Sequence, residues 1–336
     1  MNERKLRRFC TAVLLFAILL RAANALPRAA PSHPAANVWP VRILAAENRA
    51  VSQPAQSAPE QPPVKEADPE QNPAEEAGQD EPLHFSAAEA DAITIAGACD
   101  YPVDKTALLT RASALRAALD GPKVLIVHTH TSEAYTQEAG WEYDSSDPLR
   151  TGDPERSVVR LGTRLAEILN AAGIETLHDT ALNDYPTYNG AYERMRLTIE
   201  DYLAQYPSIE MVLDLHRDAA DDPSGLPVSF AAEVDGQRCA QLMFVVGTDE
   251  GGLTHPNWQE NLANALKVQA LLNRAAPGLC RDIDLRTERF NQHETPGSML
   301  IEFGCTGNTL AEALRSVEYL GQALCKFWGG LAAEAS

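Results

Sequence analysis

The chain has 336 residues and a formal net charge of −19. That acidity argues against nucleic acid or an anionic membrane surface as the main partner, because both select clustered Lys and Arg. With 45% apolar residues the chain can build a full core, and its length suits one large domain or two ordinary ones.

Residues 1–25 carry an export pattern. Arg4, Lys5, Arg7 and Arg8 precede the apolar run FCTAVLLFAILL, and Ala23, Asn24 and Ala25 offer small residues for cleavage. The run is shorter than the roughly 20 apolar residues that span a bilayer. Composition alone therefore favours a cleaved signal peptide over an uncleaved anchor. Residues 26–95 are rich in Pro, Ala, Glu, Gln and Ser, and within 51–90 nine acidic residues face the single Lys65. Such a stretch has too little apolar surface to offset its ordering entropy and reads as a disordered tether.

From 96 to 336 two periods alternate. Lys123–Val127 reads as a short buried strand, Ser157–Ala171 as a helix, Glu175–Leu177 as a short strand and Ala191–Gln205 as a helix. SIEMVLDLH is a buried strand. PVSFAAEV and CAQLMFVVG form a strand pair, either a hairpin or an added edge. NLANALKVQALLNRA is a helix, SMLIEFG a strand, and TLAEALRSVEYLGQALCKFW a closing helix. Strands alternating with helices indicate an α/β fold with a mostly parallel central sheet flanked by helices, in one domain spanning 96–336. VLIV, residues 124–127, is read as its central strand. Of six Cys, Cys10 lies in the export segment. The other five have no Cys-x-x-Cys spacing, so they form neither a disulfide framework nor a cysteine zinc site. They read as small buried apolar residues.

Three of these strands end in residues of metal-binding type. VLIV runs into His128, Thr129, His130 and Glu133; MVLDL runs into His216, Arg217 and Asp218; MLI runs into Glu302. In an open α/β sheet, ligands gather at the carboxyl ends of strands. If the three strands are parallel neighbours, these groups converge. A zinc hydrolase needs two or three His or carboxylate ligands, one open position and a base beside it. His130, Glu133 and His216 are an economical ligand set, and Glu302 is then free to act as general base and proton donor. Burial in an apolar strand would raise its pKa. His128 stands two residues from His130, and the sequence leaves open which of them faces the metal. Taken singly, each histidine also has a plain structural reading. His178, His255 and His293 read as loop and surface residues. No Gly-x-Ser-x-Gly elbow, phosphate-binding Gly loop or dinucleotide fingerprint is present.

The stretches HTHTSEAY, HDTALNDYPTYNGAY, DLHRDA, MFVVGT, HPNWQENL, RFNQ and MLIEFGCTGNTLAEAL together resemble the stage II sporulation protein P family over about 122–328. The resemblance implies a fold similar to the zinc-dependent N-acetylmuramoyl-L-alanine amidases. The implied activity is a cell-wall hydrolase that cuts the amide between muramic acid and L-alanine, in some members also peptide cross-links. It implies action in forespore engulfment beside a lytic transglycosylase (stage II sporulation protein D) and a membrane protein (stage II sporulation protein M), outside the cytoplasm. It also shifts the reading of residues 1–25 towards a membrane anchor. By this resemblance His130 and His216 are the histidine ligands of Zn2+ and Glu302 is the catalytic glutamate. The middle ligand is Glu133, with Glu155 as the alternative. Arg217, Arg289, Asn291 and Gln292 are candidates for binding stem-peptide carboxylates or glycan, and their other reading is the ordering of loops. Asp218 is a candidate to orient a histidine ligand. Two competing readings are a zinc carboxypeptidase-like wall peptidase, since His130 and Glu133 have its His-x-x-Glu spacing, and a non-catalytic wall-binding or assembly module.

Overall fold

The computed structural model describes residues 82–117, 120–185 and 187–335, which belong to one compact unit, Asn72–Ser336. The export segment 1–25 and the tether up to residue 81 lie outside the described residues. The last part of the expected tether does not behave as one. Ser86 and Glu89 form a reciprocal capping box (Glu89 N to Ser86 Oγ 3.3 Å; Ser86 N to Glu89 Oε2 2.8 Å) that starts helix α1, Ala87–Asp91. Strand β1, Ile95–Gly97, follows and pairs with the sheet. The folded unit thus begins before residue 96, because Ala90 and Ile93 bury fully in the main core.

The remaining elements are helix α2 (Lys105–Thr110), strand β2 (Val124–Val127), helix α3 (Val159–Ala171), strand β3 (Thr176–His178), helix α4 (Ala191–Gln205), strand β4 (Met211–Asp218), strands β5 (Ala231–Val234) and β6 (Gln237–Ala240), strand β7 (Leu242–Gly247), helix α5 (Trp258–Ala275), strand β8 (Ile283–Arg286), a 3-10 turn (Gln292–Glu294), strand β9 (Met299–Cys305) and helix α6 (Leu310–Ala335). Among the described residues seven strands form the main sheet, in the order β1-β8-β7-β9-β4-β2-β3. Every neighbouring pair is parallel except β7 with β9. The expected α/β fold with a mostly parallel, helix-flanked sheet is the one observed.

The sheet is buried on both faces, as parallel sheets require. Val124 and Ile126 of β2 join the large core with α3, α5 and α6, while Leu125 and Val127 meet Met195 and Ile199 of α4 on the other side. VLIV is not the central strand, however. It is second from one end, and β9 holds the middle. The expected pair PVSFAAEV/CAQLMFVVG is also divided differently. Asp235 (φ 51°) and Gly236 (φ 72°) make a tight left-handed turn that closes the β5–β6 hairpin outside the main sheet. The chain then breaks at Gln241, and LMFVVG enters the main sheet as β7.

Candidate functional site

The site is set by strand alternation. In β4, Leu213 and Leu215 face the large core, whereas Val212 faces the α4 side. Alternation puts Asp214 and His216 on the α4 side with Val212. In β9, Ile301 and Phe303 face the large core, so Glu302 shares the face of His216. The two are register partners on adjacent parallel strands. The strands carrying His130, His216 and Glu302 are therefore parallel neighbours, in the order β9-β4-β2, as their convergence requires.

After β2 the chain turns. Asp214 fixes the turn by accepting from Thr129 N (2.8 Å) and Thr129 Oγ1 (2.6 Å). Glu133 N closes on the His130 carbonyl at 3.1 Å, which keeps the two side chains in one loop. Tyr135, fully buried, donates to the Phe303 carbonyl at 2.9 Å and ties this loop to the strand of Glu302.

Within that frame His216 Nδ1 lies 3.4 Å from Glu133 Oε2, and His216 Nε2 lies 2.9 Å from Asp214 Oδ1, without hydrogen-bond alignment at Nε2. The rings of His130 and His216 are 5.4 Å apart and nearly perpendicular (80°). His130 Nδ1, His216 Nε2 and Glu302 Oε2 are all withdrawn from solvent with no hydrogen-bond partner. Each such unpaired buried atom calls for an explanation, and three of them gather in this cluster.

The electrostatics follow from burial plus two carboxylates. Burial opposes charge on His216, but Asp214 and Glu133 outweigh it and hold its pKa well above the ordinary imidazole value. Burial works against ionised Glu133 too, yet His216, Arg217 and His130 hold its pKa below the usual value. His130 is shifted down, mainly by burial. Glu302 goes the other way: burial first, then the charge of Glu133, push it up to about 8 against the pull of His216.

Two imidazoles and one carboxylate are a common zinc donor set, with bonds of about 2.0–2.2 Å. In a tetrahedron of such bonds two donor atoms stand roughly 3.4 Å apart, and Glu133 Oε2 and His216 Nδ1 are separated by 3.4 Å. Among the described residues no three His, Cys, Asp or Glu side chains already stand in metal-holding geometry. The donor types and the one tetrahedral edge fit a zinc ion.

The other expected site residues divide. His128 faces α3, not the site. Its Nδ1 lies 3.0 Å from the Leu215 carbonyl, which can only accept, so Nδ1 carries the proton. His178 Nε2, 2.9 Å from His128 Nε2, must then be the donor. His178 is therefore no surface loop residue, and neither is His255, which is completely buried ahead of α5. His293 is partly buried and its ring lies 6.3 Å from that of His255. Glu155 is exposed and faces Arg160 at 3.4 Å, away from the cluster, whereas Glu133 is inside it.

Of the expected substrate residues, Arg217 is buried. It donates to the carbonyls of Ala134 (2.9 Å) and Leu149 (3.0 Å) while its amide binds Glu133 Oε2 at 3.2 Å. Gln292 is equally committed, accepting from Gly247 N at 2.8 Å and donating to the Val245 carbonyl at 2.7 Å. Both order the chain, and the substrate-binding expectation is corrected for them. Arg289 and Asn291 are half-buried at the loop edge, with Asn291 Nδ2 on the Tyr192 carbonyl at 2.8 Å. Phe290 and Asn291 have φ of 47° and 58°, a strained pair that brings the Phe290 ring 5.8 Å from Tyr192. Asp218 pairs with Arg281 at 2.8 Å, so the aspartate beside a site histidine is Asp214 instead.

Fold and site together define an α/β protein with a buried cluster of two histidines, carboxylates and one partnerless glutamate oxygen on one sheet face. The family model for Stage II sporulation protein P matches residues 24–325, and the chain belongs to that family. It is 26% identical over 208 residues to Stage II sporulation protein P of Bacillus subtilis (strain 168), which covers 59% of this chain and 49% of that relative. The match thus spans about half the length of the relative. Among solved structures, the N-acetylmuramoyl-L-alanine amidase AmiC2 of Nostoc punctiforme aligns at 17% identity with a TM-score of 0.35, over 64% of this chain and 99% of that one. The N-acetylmuramyl-L-alanine amidase Ami1 of Mycobacterium smegmatis aligns at 12% with a TM-score of 0.37, over 63% and 97%. Among the described residues no helix is long and apolar enough to cross a membrane.

Proposed function

We propose that the chain is a zinc-dependent peptidoglycan hydrolase that cuts the amide between N-acetylmuramic acid and L-alanine of the stem peptide. The observation that carries this reading is the meeting of His130, Glu133 and His216 with Glu302, whose Oε2 is buried and without a partner. Membership of the sporulation family supports a role in forespore engulfment outside the cytoplasm, anchored or exported through residues 1–25. Its partners would be a lytic transglycosylase (stage II sporulation protein D) and a membrane protein (stage II sporulation protein M), and peptide cross-links would be a second substrate.

His130, Glu133 and His216 would hold the zinc. Bound there, zinc supplies Lewis acidity at the scissile carbonyl and makes water acidic enough to lose a proton near neutral pH. Glu302, raised to about 8 by burial, exchanges a proton close to neutral pH. It takes the proton of the attacking water and hands one to the departing L-alanine amine. Asp214 Oδ1 lies 2.9 Å from His216 Nε2, on the far side of the ring from Nδ1, which faces Glu133. Arg217 holds Glu133 in place through its main-chain amide and guanidinium. Arg289 and Asn291, at the rim, are the remaining candidates for contacts with stem peptide or glycan.

The test is digestion of purified peptidoglycan by the full-length chain, with metal content measured in parallel and His130→Ala alongside. The reading expects about one zinc per chain, lost in the variant, and release of intact stem peptide from uncut glycan. Shortened peptides still joined to glycan would favour the carboxypeptidase-like reading. Wall binding with no released peptide would favour a binding module.

A further inference from the structure

His130 is the one member of the cluster whose partner is not on the strands. Its Nδ1 is buried and makes no hydrogen bond, and the nearest carboxylate oxygen is Asp184 Oδ2 at 3.9 Å. Asp184 is itself buried (6% exposed) in the stretch between β3 and α4. It accepts from Thr131 Oγ1 and Ser132 N at 3.0 Å each through Oδ1, and from Ser132 Oγ (2.7 Å) and Arg150 (3.0 Å) through Oδ2. These bonds grip the two residues that directly follow His130. The neighbouring Asn183 adds a second grip, donating from Nδ2 to the Thr129 carbonyl at 2.7 Å and from its amide to Thr131 Oγ1 at 2.8 Å.

The same stretch also controls the plane of the ring. Tyr188 lies flat on His130, with centroids 4.3 Å apart and planes 5° from parallel. Tyr192 meets the His130 ring edge-on at 5.6 Å and 89°. Arg150, held by Asp184, sits 4.8 Å from the centre of the Tyr188 ring. Tyr188 is half exposed (52%), an unusual place for so closely stacked an aromatic ring. Arg194 fixes the backbone of this stretch by donating to the carbonyls of Asn183 (2.9 Å), Thr187 (2.6 Å) and Asn189 (3.1 Å).

We infer that Asp184 and Tyr188 are positioning residues for His130, the carboxylate selecting which ring nitrogen carries the proton and the phenol ring fixing the plane. This rests on the proposed role of His130 as a metal ligand. A neutral imidazole has one N–H and one bare nitrogen, and only the bare nitrogen can bind a metal. A carboxylate on the Nδ1 side favours the Nδ1–H tautomer and leaves Nε2 free to coordinate. Closing the gap by roughly 1 Å would turn the 3.9 Å approach into a hydrogen bond. His216 has the mirror arrangement, with Asp214 on Nε2 and Nδ1 facing Glu133. Each candidate ligand histidine thus has its own buried aspartate, and the two aspartates come from different parts of the chain.

The first readout needs no metal. In the full-length chain at pH 8, stripped of metal, nitrogen chemical shifts of the His130 ring should report the Nδ1–H tautomer. A ring found mainly as Nε2–H in the wild type would overturn the inference. Asp184→Asn should then mix the tautomers and lower zinc affinity about 10–100-fold, measured by competition with a chromophoric chelator. Tyr188→Ala should also weaken zinc, whereas Tyr188→Phe, which keeps the stacking face, should match the wild type. If Asp184→Asn lowers the melting temperature yet leaves tautomer and zinc affinity unchanged, Asp184 is a loop anchor only and the inference fails. If the wild type has the expected tautomer but binds no zinc, the metal reading fails while the positioning of His130 stands.

Discussion

His216 and Glu302 stand side by side in the β4–β9 ladder, on the same sheet face, the pKa of the histidine raised by two carboxylates and that of the glutamate raised to about 8 by burial. Because neighbouring parallel strands fix this pairing, a change at Glu302 should remove the proton-transfer group without moving the histidines. Glu302→Gln keeps the side-chain volume. It should reduce peptidoglycan cutting by about 10²–10⁴-fold, the usual scale for a lost general base, and leave zinc content and wall binding unchanged. Metal analysis beside product analysis separates this from a folding defect. Residual activity within tenfold of the wild type would assign the base elsewhere.

Glu133 and Glu155 lead to opposite outcomes. Glu133 is buried beside His216 and Arg217, whereas Glu155 is exposed and faces Arg160. Glu133→Gln should lose bound zinc and activity together. It should also lower stability by about 1–3 kcal/mol, since Arg217 would keep its buried charge with a weaker partner. Glu155→Gln should change stability by no more than about 0.5 kcal/mol, as expected for an exposed ion pair, and should keep its zinc. Zinc loss in Glu155→Gln with retention in Glu133→Gln would reverse the assignment.

The elements that carry the site were legible because their signals are local. VLIV, MVLDL and MLIEFG are apolar runs of strand length that end in polar residues, and their convergence needs only parallel pairing. Burial of Glu302 could likewise be read from its apolar neighbours. Sheet order could not, since β9 takes the centre through contacts between segments far apart in sequence, and β1 and β8 are too short to announce themselves. Asp214 was within reach: in DLH the aspartate and histidine are two apart, so a strand puts them on one face. Asp184 and Tyr188 gave no such sign, because a loop has no period from which to infer that it folds back over His130. Arg217 and Gln292 have the chemistry of substrate ligands, and only their burial assigns them to the main chain.

Gly162 offers a test of the histidine pair behind the site. A Cβ at this position in α3 would stand 2.5 Å from His178 Nε2 and 2.6 Å from His128 Nε2. Glycine to alanine inside a helix ordinarily gains up to about 1 kcal/mol. Here the clash with two hydrogen-bonded rings, one of them fully buried, should win, giving a net loss of about 1–3 kcal/mol by denaturant unfolding. The double variant Gly162→Ala/His178→Ala should lose less than the sum of the two single changes, because removing one ring opens the space. Strict additivity would mean that the three residues do not share that space.

Lys267, on α5, makes a prediction about pH. It is buried (5% exposed), with Nζ donating to the Leu108 carbonyl at 3.3 Å. Burial first, then the charge of Arg111, lower its pKa from 10.5 to about 8, against the pull of Glu260 and Glu334. Between these values the unfolded chain holds a proton that the folded chain has released, so stability rises with pH. Below pH 8 both states are charged and the full cost of the buried cation applies. From about pH 8 to 10.5 that cost disappears, a gain of about 3 kcal/mol for this group. Lys267→Met has no such titration. Unfolding free energies of the two proteins from pH 7 to 10.5 should therefore differ most at pH 7, with the variant more stable, and converge as the pH rises. A difference that stays constant across that range would show that Lys267 keeps its ordinary pKa in the folded protein.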